Sequence, residues 1–168
     1  VIVARNLSGD VKCYKTVEME FNKDSNQVEY VISPANISDK VNKKAQDLAI
    51  KLSNSLDSIG ILAVEMFLYN DSILVNEVAP RPHNSGHFSI EACKRSQFQQ
   101  HIRSIFNLTL GDTNHKGSVI MLNIVGEEGY KGKVYYENLD EVFKCKSANL
   151  HLYGKDETRP NRKMGHVT

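Results

Sequence analysis

Two apolar segments, residues 61–69 and residues 73–78, flank a short polar turn at residues 70–72 and constrain the fold more than any other feature. Both are rich in Ile, Val, Leu and aromatic residues, which predicts a hairpin of two antiparallel strands. Each strand carries one carboxylate within its apolar run, Glu65 in the first and Glu77 in the second. The alternation of strand side chains predicts a packed face opposite the glutamates, formed by Leu62, Val64, Met66, Leu68 and Leu74.

A three-residue turn would pair Tyr69 with Ile73 and set Glu65 directly opposite Glu77. In that register Glu77 shares its face with Ile73 and Val75. Like charges directly opposed, with Cβ atoms about 4.5–5.5 Å apart, destabilise a strand pair. In an apolar setting they would share a proton or hold a cation, and hard oxygen ligands favour Mg²⁺. The pattern therefore predicts a metal site; the alternative is that one glutamate lies on a solvated edge and pairs with a lysine.

A polar loop after the second strand collects side chains that bind anions: Arg81, His83, Asn84, Ser85 and His87. Two prolines and a glycine exclude a regular helix here, so the two histidines do not form an i,i+4 zinc pair. The flanking prolines stiffen the loop around Arg81, whose planar guanidinium suits a carboxylate, a phosphate or bicarbonate. The alternatives are structural histidines and an ion pair between Arg81 and Glu65 or Glu77.

The C-terminal residues 151–166 predict a hairpin with a cationic tip, formed by Lys155, Arg159, Arg162 and Lys163. Four cations beside turn residues can bind a phosphate. The alternative is a hairpin tip whose charges serve only solubility.

Overall composition excludes several classes of function. The chain has 21 Lys and Arg against 20 Asp and Glu, and this net charge of +1 gives no basic surface for a nucleic acid or a membrane. No run approaches the roughly 18 apolar residues that a membrane span requires. Cys13, Cys93 and Cys145 are too widely spaced for a disulfide framework or a metal site. We expect them to be small buried residues in a reducing cytoplasm.

The order of elements predicts an α+β protein with a mostly antiparallel sheet. The predicted strands cover residues 1–6, 11–22, 28–32, 61–69, 73–78, 118–125, 150–154 and 163–168. The predicted helices cover residues 38–58, a segment from about Ser96 with Phe98, Ile102 and Ile105 on one face, and residues 138–144. We expect two domains, residues 1–112 and 113–168. Both chain ends fall within strands, so we expect a fragment of a longer protein.

Three segments resemble the N5-carboxyaminoimidazole ribonucleotide synthetases, a branch of the ATP-grasp ligases that acts in purine biosynthesis. They are residues 60–67, 76–87 and 159–166, and residues 1–5 and 96–98 are similar as well. The His-Asn-Ser-Gly-His run at residues 83–87 is specific to this branch, whereas a glutamate pair alone would indicate only an ATP-grasp enzyme. The resemblance implies the C-terminal half of an ATP-grasp domain followed by a small, β-rich, truncated C-terminal domain.

The resemblance also implies a reaction. ATP would phosphorylate bicarbonate to carboxyphosphate, which would carboxylate the exocyclic amine of 5-aminoimidazole ribonucleotide. Glu65 and Glu77 match the Mg²⁺ ligands of the family and, with Asn76, belong to its ATP site. Further positions match residues that hold carboxyphosphate and the ribonucleotide: Arg81 and His83, which would be catalytic, and Asn84. Lys155 and Arg162 match the pair that binds the 5′-phosphate.

Two positions depart from the usual family pattern. Ala79 stands where many ATP-grasp enzymes have an asparagine that ligates the metal, and this branch does without it. Asn161 stands where the family usually has glycine, and asparagine tolerates the left-handed backbone that such a turn requires.

The resemblance implies a cytoplasmic enzyme that is a homodimer at full length. Its N-terminal domain, phosphate-binding loop and adenine-binding segment would precede Val1, so we expect the isolated chain to be inactive. Two alternatives stay open: another ATP-grasp ligase, such as a glycinamide ribonucleotide synthetase or a biotin carboxylase, and a non-catalytic binding module. The His-Asn-Ser-Gly-His loop argues against the first, and the intact set of charged residues argues against the second.

Overall fold

The computed structural model describes all 168 residues, which divide into two compact units. The first unit comprises Val1–Glu18 and Ile32–Val119, and the second comprises Met19–Val31 and Ile120–Thr168. The units differ from the predicted domains, residues 1–112 and 113–168, because Met19–Val31 belongs to the second unit. The domain boundaries stay a prediction.

The strands are, in chain order, β1 (Ile2–Arg5), β2 (Val11–Cys13), β3 (Glu18–Phe21), β4 (Val28–Ser33), β5 (Gly60–Tyr69), β6 (Ser72–Ala79), β7 (Val119–Val125), β8 (Gly132–Lys133), β9 (Leu150–Leu152), β10 (Glu157–Thr158) and β11 (Lys163–Val167). The helices are α1 (Asp39–Ser55), α2 (Ser89–Ala92), α3 (Gln97–Ile105) and α4 (Leu139–Lys144), with a 3₁₀ turn at Asn84–Gly86. The α+β class is confirmed. The segment predicted as one strand at residues 11–22 is two strands, and residues 14–17 between them belong to neither strand. None of the helices is long and apolar enough to cross a membrane.

The first unit is built on a four-stranded antiparallel sheet of order β2-β1-β5-β6. Helix α1 packs on one face through a buried cluster that joins Ala49 to Val3, Leu62 and Val64. Helix α3 also contacts β1 and β5. Because neighbouring strand residues point to opposite faces, the buried Ile61 belongs to the second face. The base of β5 is therefore covered on both sides.

The β5–β6 turn is shorter than predicted. It consists of Asn70 and Asp71 alone, both with left-handed backbone (φ 46° and 60°), which suits a two-residue hairpin turn. Tyr69 consequently pairs with Ser72 and not with Ile73. The predicted three-residue turn was wrong.

A β-bulge at Asn76 restores the glutamate pairing that the short turn would otherwise remove. Regular pairing from a two-residue turn would set Glu65 opposite Asn76. The register shifts by one residue next to Met66, and Glu65 pairs with Glu77 instead. A bulge sets two consecutive residues of one strand opposite one residue of its partner and redirects their side chains. The predicted opposition of the two glutamates is therefore confirmed, although its predicted cause was wrong.

The bulge changes the predicted faces of the hairpin. Val75 pairs with Met66, the neighbour of Glu65, so Val75 lies on the face opposite Glu77 and not beside it. Leu74 was predicted on the face opposite the glutamates, but it lies on their face. The packed face is also shorter than predicted, because burial is limited to the base of the hairpin and Leu68 is exposed.

Helix α3 buries its polar face. It begins with a capping box in which Ser96 and Gln99 each bond the other's backbone N–H. Gln97 and Gln100 are completely buried, as is Ser104. The predicted apolar face is instead exposed: Phe98, Ile102 and Ile105.

The second unit contains a five-stranded sheet of order β3-β4-β7-β11-β9 and a two-stranded sheet of β8 and β10. Strand β11 pairs antiparallel with both β7 and β9. The segment before β11 turns sharply at Arg159-Pro160-Asn161-Arg162, where the N–H of Arg162 donates to the carbonyl of Arg159 (3.0 Å). Asn161 has φ 62°, so it adopts the predicted left-handed conformation. Proline followed by a left-handed residue is typical of a type II turn.

Candidate functional site

The glutamate pair and one histidine form the one cluster in the chain that has the spacing of a metal site. The ligand atoms of Glu65, Glu77 and His83 all lie within 4.8 Å of one another. The Glu65 side chain is only 16% exposed, whereas Glu77 is exposed. Asn76, the bulge residue beside Glu77, is also exposed. The hairpin thus brings together the carboxylates that the sequence predicted as metal ligands.

His83 reaches the glutamates from the loop that follows β6. Its Nε2 atom lies 3.7 Å from Oε1 of Glu65, and its Nδ1 atom lies 2.9 Å from Oγ of Ser85. The backbone N–H of Ser85 also points to Nδ1 (3.4 Å), so Nδ1 accepts a hydrogen bond. A neutral ring that accepts at Nδ1 carries its proton at Nε2, the atom that faces Glu65.

Arg81 does not form the ion pair that was the alternative to an anion-binding role. It is exposed, and its Nη1 atom donates to the carbonyl of Pro82 (3.1 Å). The group that faces Glu65 is the His83 ring instead. Asn84 is partly buried and begins the 3₁₀ turn, and its carbonyl accepts from the N–H of His87 (3.0 Å). Arg81 therefore keeps most of its five N–H donors for a ligand.

Gln97 is the residue of this site that the sequence pattern did not single out. Its Oε1 accepts from the N–H of His83 (2.9 Å), and its Nε2 donates to the carbonyl of the same residue (2.7 Å). Nε2 also lies 2.8 Å from Nδ1 of His87. The signal that could have revealed it is the capping box of α3, which places Gln97 in the first turn of a helix that follows the loop and α2.

The two cations predicted to bind a phosphate lie in the second unit, on one hairpin. The ammonium of Lys155 donates to the carbonyl of Lys163 (2.5 Å) and lies 5.8 Å from the centre of the Tyr153 ring. The guanidinium of Arg162 donates to the carbonyl of Glu157 (2.8 Å). Both side chains are partly buried and hydrogen-bonded to the backbone of the hairpin, and neither forms an ion pair.

The cysteines differ from the expectation in one case. All three are free thiols: Cys93 is buried, Cys13 is partly buried, and Cys145 is exposed. Burial raises the pKa of the Cys13 and Cys93 thiols to about 12. Hydrogen bonds from Ser147 lower the pKa of Cys145.

Two models of known protein families match the chain, and together they span the sheet, the glutamate hairpin and the loop. Residues 1–98 match the ATP-grasp domain, and residues 119–168 match the phosphoribosylaminoimidazole carboxylase C-terminal domain. The chain belongs to the ATP-grasp family.

Its relatives narrow the similarity to one branch of that family. The N5-carboxyaminoimidazole ribonucleotide synthase of Bacillus subtilis is 43% identical over 170 residues, a match that spans 100% of this chain and 42% of that protein. The crystal structure of N5-carboxyaminoimidazole ribonucleotide synthetase from Thermotoga maritima is 50% identical with a TM-score of 0.91, covering 99% of this chain and 44% of that one. The synthase from Aspergillus clavatus, in complex with ADP and 5-aminoimidazole ribonucleotide, is 39% identical with a TM-score of 0.89 over 99% of this chain and 43% of that one. The chain thus spans less than half the length of these relatives.

Proposed function

We propose that the chain forms the metal-binding and ribonucleotide-binding parts of an N5-carboxyaminoimidazole ribonucleotide synthetase, an ATP-grasp ligase. The observation that carries the proposal is the convergence of Glu65, Glu77 and His83 within 4.8 Å in a chain 43% identical to a synthase of that name. In the complete protein, bicarbonate takes the γ-phosphoryl group of ATP to give carboxyphosphate and ADP. The exocyclic amine of 5-aminoimidazole ribonucleotide then attacks the carboxyl carbon and expels phosphate. We further propose that the complete enzyme is a cytoplasmic homodimer.

The proposed magnesium ligands are Glu65 and Glu77. Asn76, the neighbour of Glu77, is proposed to belong to the ATP site without binding the metal. Two carboxylates on one face of a hairpin fit a hard cation that completes its shell with phosphate oxygens. The bound cation would neutralise charge on the transferring phosphoryl group. His83 carries its proton at Nε2, and ligation of a metal there would move the proton to Nδ1, where it would oppose the backbone N–H of Ser85. His83 therefore acts as a hydrogen-bond donor beside the carboxylates and not as a third ligand.

The proposed anion-binding groups follow the hairpin. Arg81 and His83 offer N–H donors to carboxyphosphate, and Asn84 offers an amide to the ribonucleotide. Lys155 and Arg162 bind the 5′-phosphate with the donors that their backbone hydrogen bonds leave over. Because the net charge is only +1, these local cations and not a general positive field would hold the anionic ligands.

A chimera tests the proposal. This chain replaces the matching 42% of the B. subtilis synthase, and ADP formation is measured with 5-aminoimidazole ribonucleotide, bicarbonate and ATP. We expect ADP formation that requires both co-substrates, and its loss in chimeras carrying Glu77→Gln or Lys155→Met. The 168-residue chain alone should release no phosphate from ATP.

Two outcomes would overturn the proposal. A folded chimera that binds ATP but responds instead to the substrates of a glycinamide ribonucleotide synthetase or of a biotin carboxylase would indicate another ligase. A folded chimera that binds ATP without turnover in any of these assays would indicate a binding module. Glu20→Gln, an exposed strand position in the second unit, is the matched control for the charge change and should retain activity.

A further inference from the structure

The buried carboxamide of Gln97 has only one possible orientation. Oε1 faces the N–H of His83 and Nε2 faces the carbonyl of the same residue. A flipped amide would set oxygen against oxygen and nitrogen against nitrogen, and both hydrogen bonds would be lost in a fully buried setting. The backbone of His83 therefore decides which end of the Gln97 amide is the donor.

That orientation fixes the tautomer of a second histidine. Nε2 of Gln97 has two N–H groups; one donates to the His83 carbonyl, and the other points to Nδ1 of His87 at 2.8 Å. Since an amide nitrogen can only donate, Nδ1 of His87 must accept, and the neutral ring carries its proton at Nε2. Phe98 stacks on the same ring, with 5.4 Å between the ring centres and 29° between the planes.

Other contacts hold Gln97 itself in place. Its backbone N–H donates to Oγ of Ser89 (2.9 Å), and that hydroxyl donates to the carbonyl of Gly86 (2.5 Å). A Cβ at position 86 would lie 2.5 Å from Oε1 of Gln97, so the loop approaches the amide as closely as only glycine allows. The amide is thus enclosed by the loop that it orders.

We infer that Gln97 is a positioning residue of the site: it fixes the backbone of His83 and sets His87 as a neutral donor at Nε2. Both histidine rings would then be neutral, and each would offer a ring N–H group to an anionic ligand. The relevance of this arrangement to catalysis rests on the proposed function, whereas the hydrogen-bond polarity does not.

The first experiment measures the hydrogen bond directly. In the ¹⁵N-labelled chain at about pH 8, where an ordinary histidine is neutral, long-range ¹H–¹⁵N spectra report which ring nitrogen carries the proton. We expect a protonated Nε2 for His87, assigned with His87→Asn, and a scalar coupling across the hydrogen bond between Gln97 Nε2 and His87 Nδ1. A proton on Nδ1 of His87, or no such coupling, would overturn the inference without any need for a folded variant at position 97.

The second experiment replaces the hydrogen-bond donor that faces His87 with an acceptor. The carboxylate of Gln97→Glu can only accept, so the His87 proton should move to Nδ1. Gln100→Glu is the matched control, because the Gln100 amide makes the same pair of bonds to the backbone of Gly111 (2.9 and 2.8 Å). The control should leave the His87 tautomer unchanged, and a folded Gln97→Glu chain with an unchanged tautomer would contradict the inference.

Activity measurements distinguish a failure of this inference from a failure of the proposed function. In the chimera, Gln97→Glu should lower kcat/KM for the ribonucleotide by roughly 10- to 100-fold, the range expected when catalytic groups are misplaced by about 1 Å. Gln100→Glu should leave it within the error of the parent. An inactive parent chimera would count against the proposed function alone, since the spectra decide the role of Gln97.

Discussion

Glu65 and Glu77 face each other across the β5–β6 hairpin because a two-residue turn and a one-residue bulge at Asn76 offset each other. A regular ladder from the same turn would have set Glu65 against Asn76. The bulge lies next to the pair, so Asn76 directly adjoins the opposed carboxylates along β6. Bulges recur beside functional sites because they redirect side chains in this way.

The opposed carboxylates should cost stability in the absence of a cation. In the presence of a chelator, Glu77→Gln should raise the free energy of unfolding by a few tenths of a kcal/mol, because like charges opposed across strands repel and exposure weakens the effect. Urea unfolding of the chain measures the change. Glu20→Gln, at an exposed strand position away from the pair, should produce no comparable gain. A destabilised Glu77→Gln chain would indicate that a protein cation already pairs with Glu77.

Gly86 and Gln97 should behave as a coupled pair in unfolding experiments. Gly86→Ala should cost about 1–3 kcal/mol, the usual cost of overpacking, because the new Cβ would meet the Gln97 amide. In a Gln97→Ala background the same substitution should cost much less, and a double-mutant cycle gives the coupling free energy. Gly117→Ala is the control, since a Cβ there meets no atom within 4 Å. Additive costs would refute the contact.

The turn at Asn161 should tolerate glycine but not alanine. Asn161 has φ 62°, and most residues with a Cβ lose roughly 1–2 kcal/mol in that conformation. We expect Asn161→Ala to lower the free energy of unfolding by about 1 kcal/mol, and Asn161→Gly to leave it nearly unchanged. Thermal unfolding of the two variants provides the measurement. Equal effects of alanine and glycine would argue against a strained turn.

His115 should make the chain less stable at mildly acidic pH. Burial, and secondarily the charge of Lys15, lower its pKa below the ordinary 6.5, so the unfolded chain binds more protons just below that value. Stability from this group is therefore present above pH 6.5 and is lost as the pH falls toward the lowered pKa. Because the ring is partly exposed, the slope should stay below the roughly 1.4 kcal/mol per pH unit of one proton.

The measurement for His115 is urea unfolding across this pH range. His115→Gln, which cannot titrate, should show a shallower pH dependence than the parent chain. An unchanged slope would assign the effect to other groups.

Local patterns predicted most of the longer elements and the glutamate pair, but they missed the short elements α2, β8 and β10 and could not predict what sets the register. The apolar runs located both strands, and the polar residues 70–72 indicated a turn without fixing its length. The bulge could not be recognised in the sequence, because one asparagine in a strand, although less common there, does not show that an extra residue is inserted. The prediction of opposed glutamates was right for an incorrect reason, since two one-residue errors cancelled.

The role of helix α3 was hidden by the usual preference of polar residues for the surface. Gln97 and Gln100 are buried because each amide satisfies both polar groups of a backbone residue in the first unit. Sequence periodicity ranks such residues as exposed and ranks Phe98 as buried, the reverse of what is found. A resemblance to relatives could indicate that residues 96–98 matter, although not what they contact.

The backbone hydrogen bonds of Lys155 and Arg162 have a consequence for affinity. A free lysine or arginine side chain gives up as much as about 2 kcal/mol of conformational entropy when a ligand immobilises it. Here the carbonyls of Lys163 and Glu157 already restrain the two side chains. Much of that entropy is therefore lost when the chain folds and not when the proposed phosphate binds. The hairpin is thus preorganised, and its affinity for a phosphate should exceed that of two mobile surface cations with the same charge.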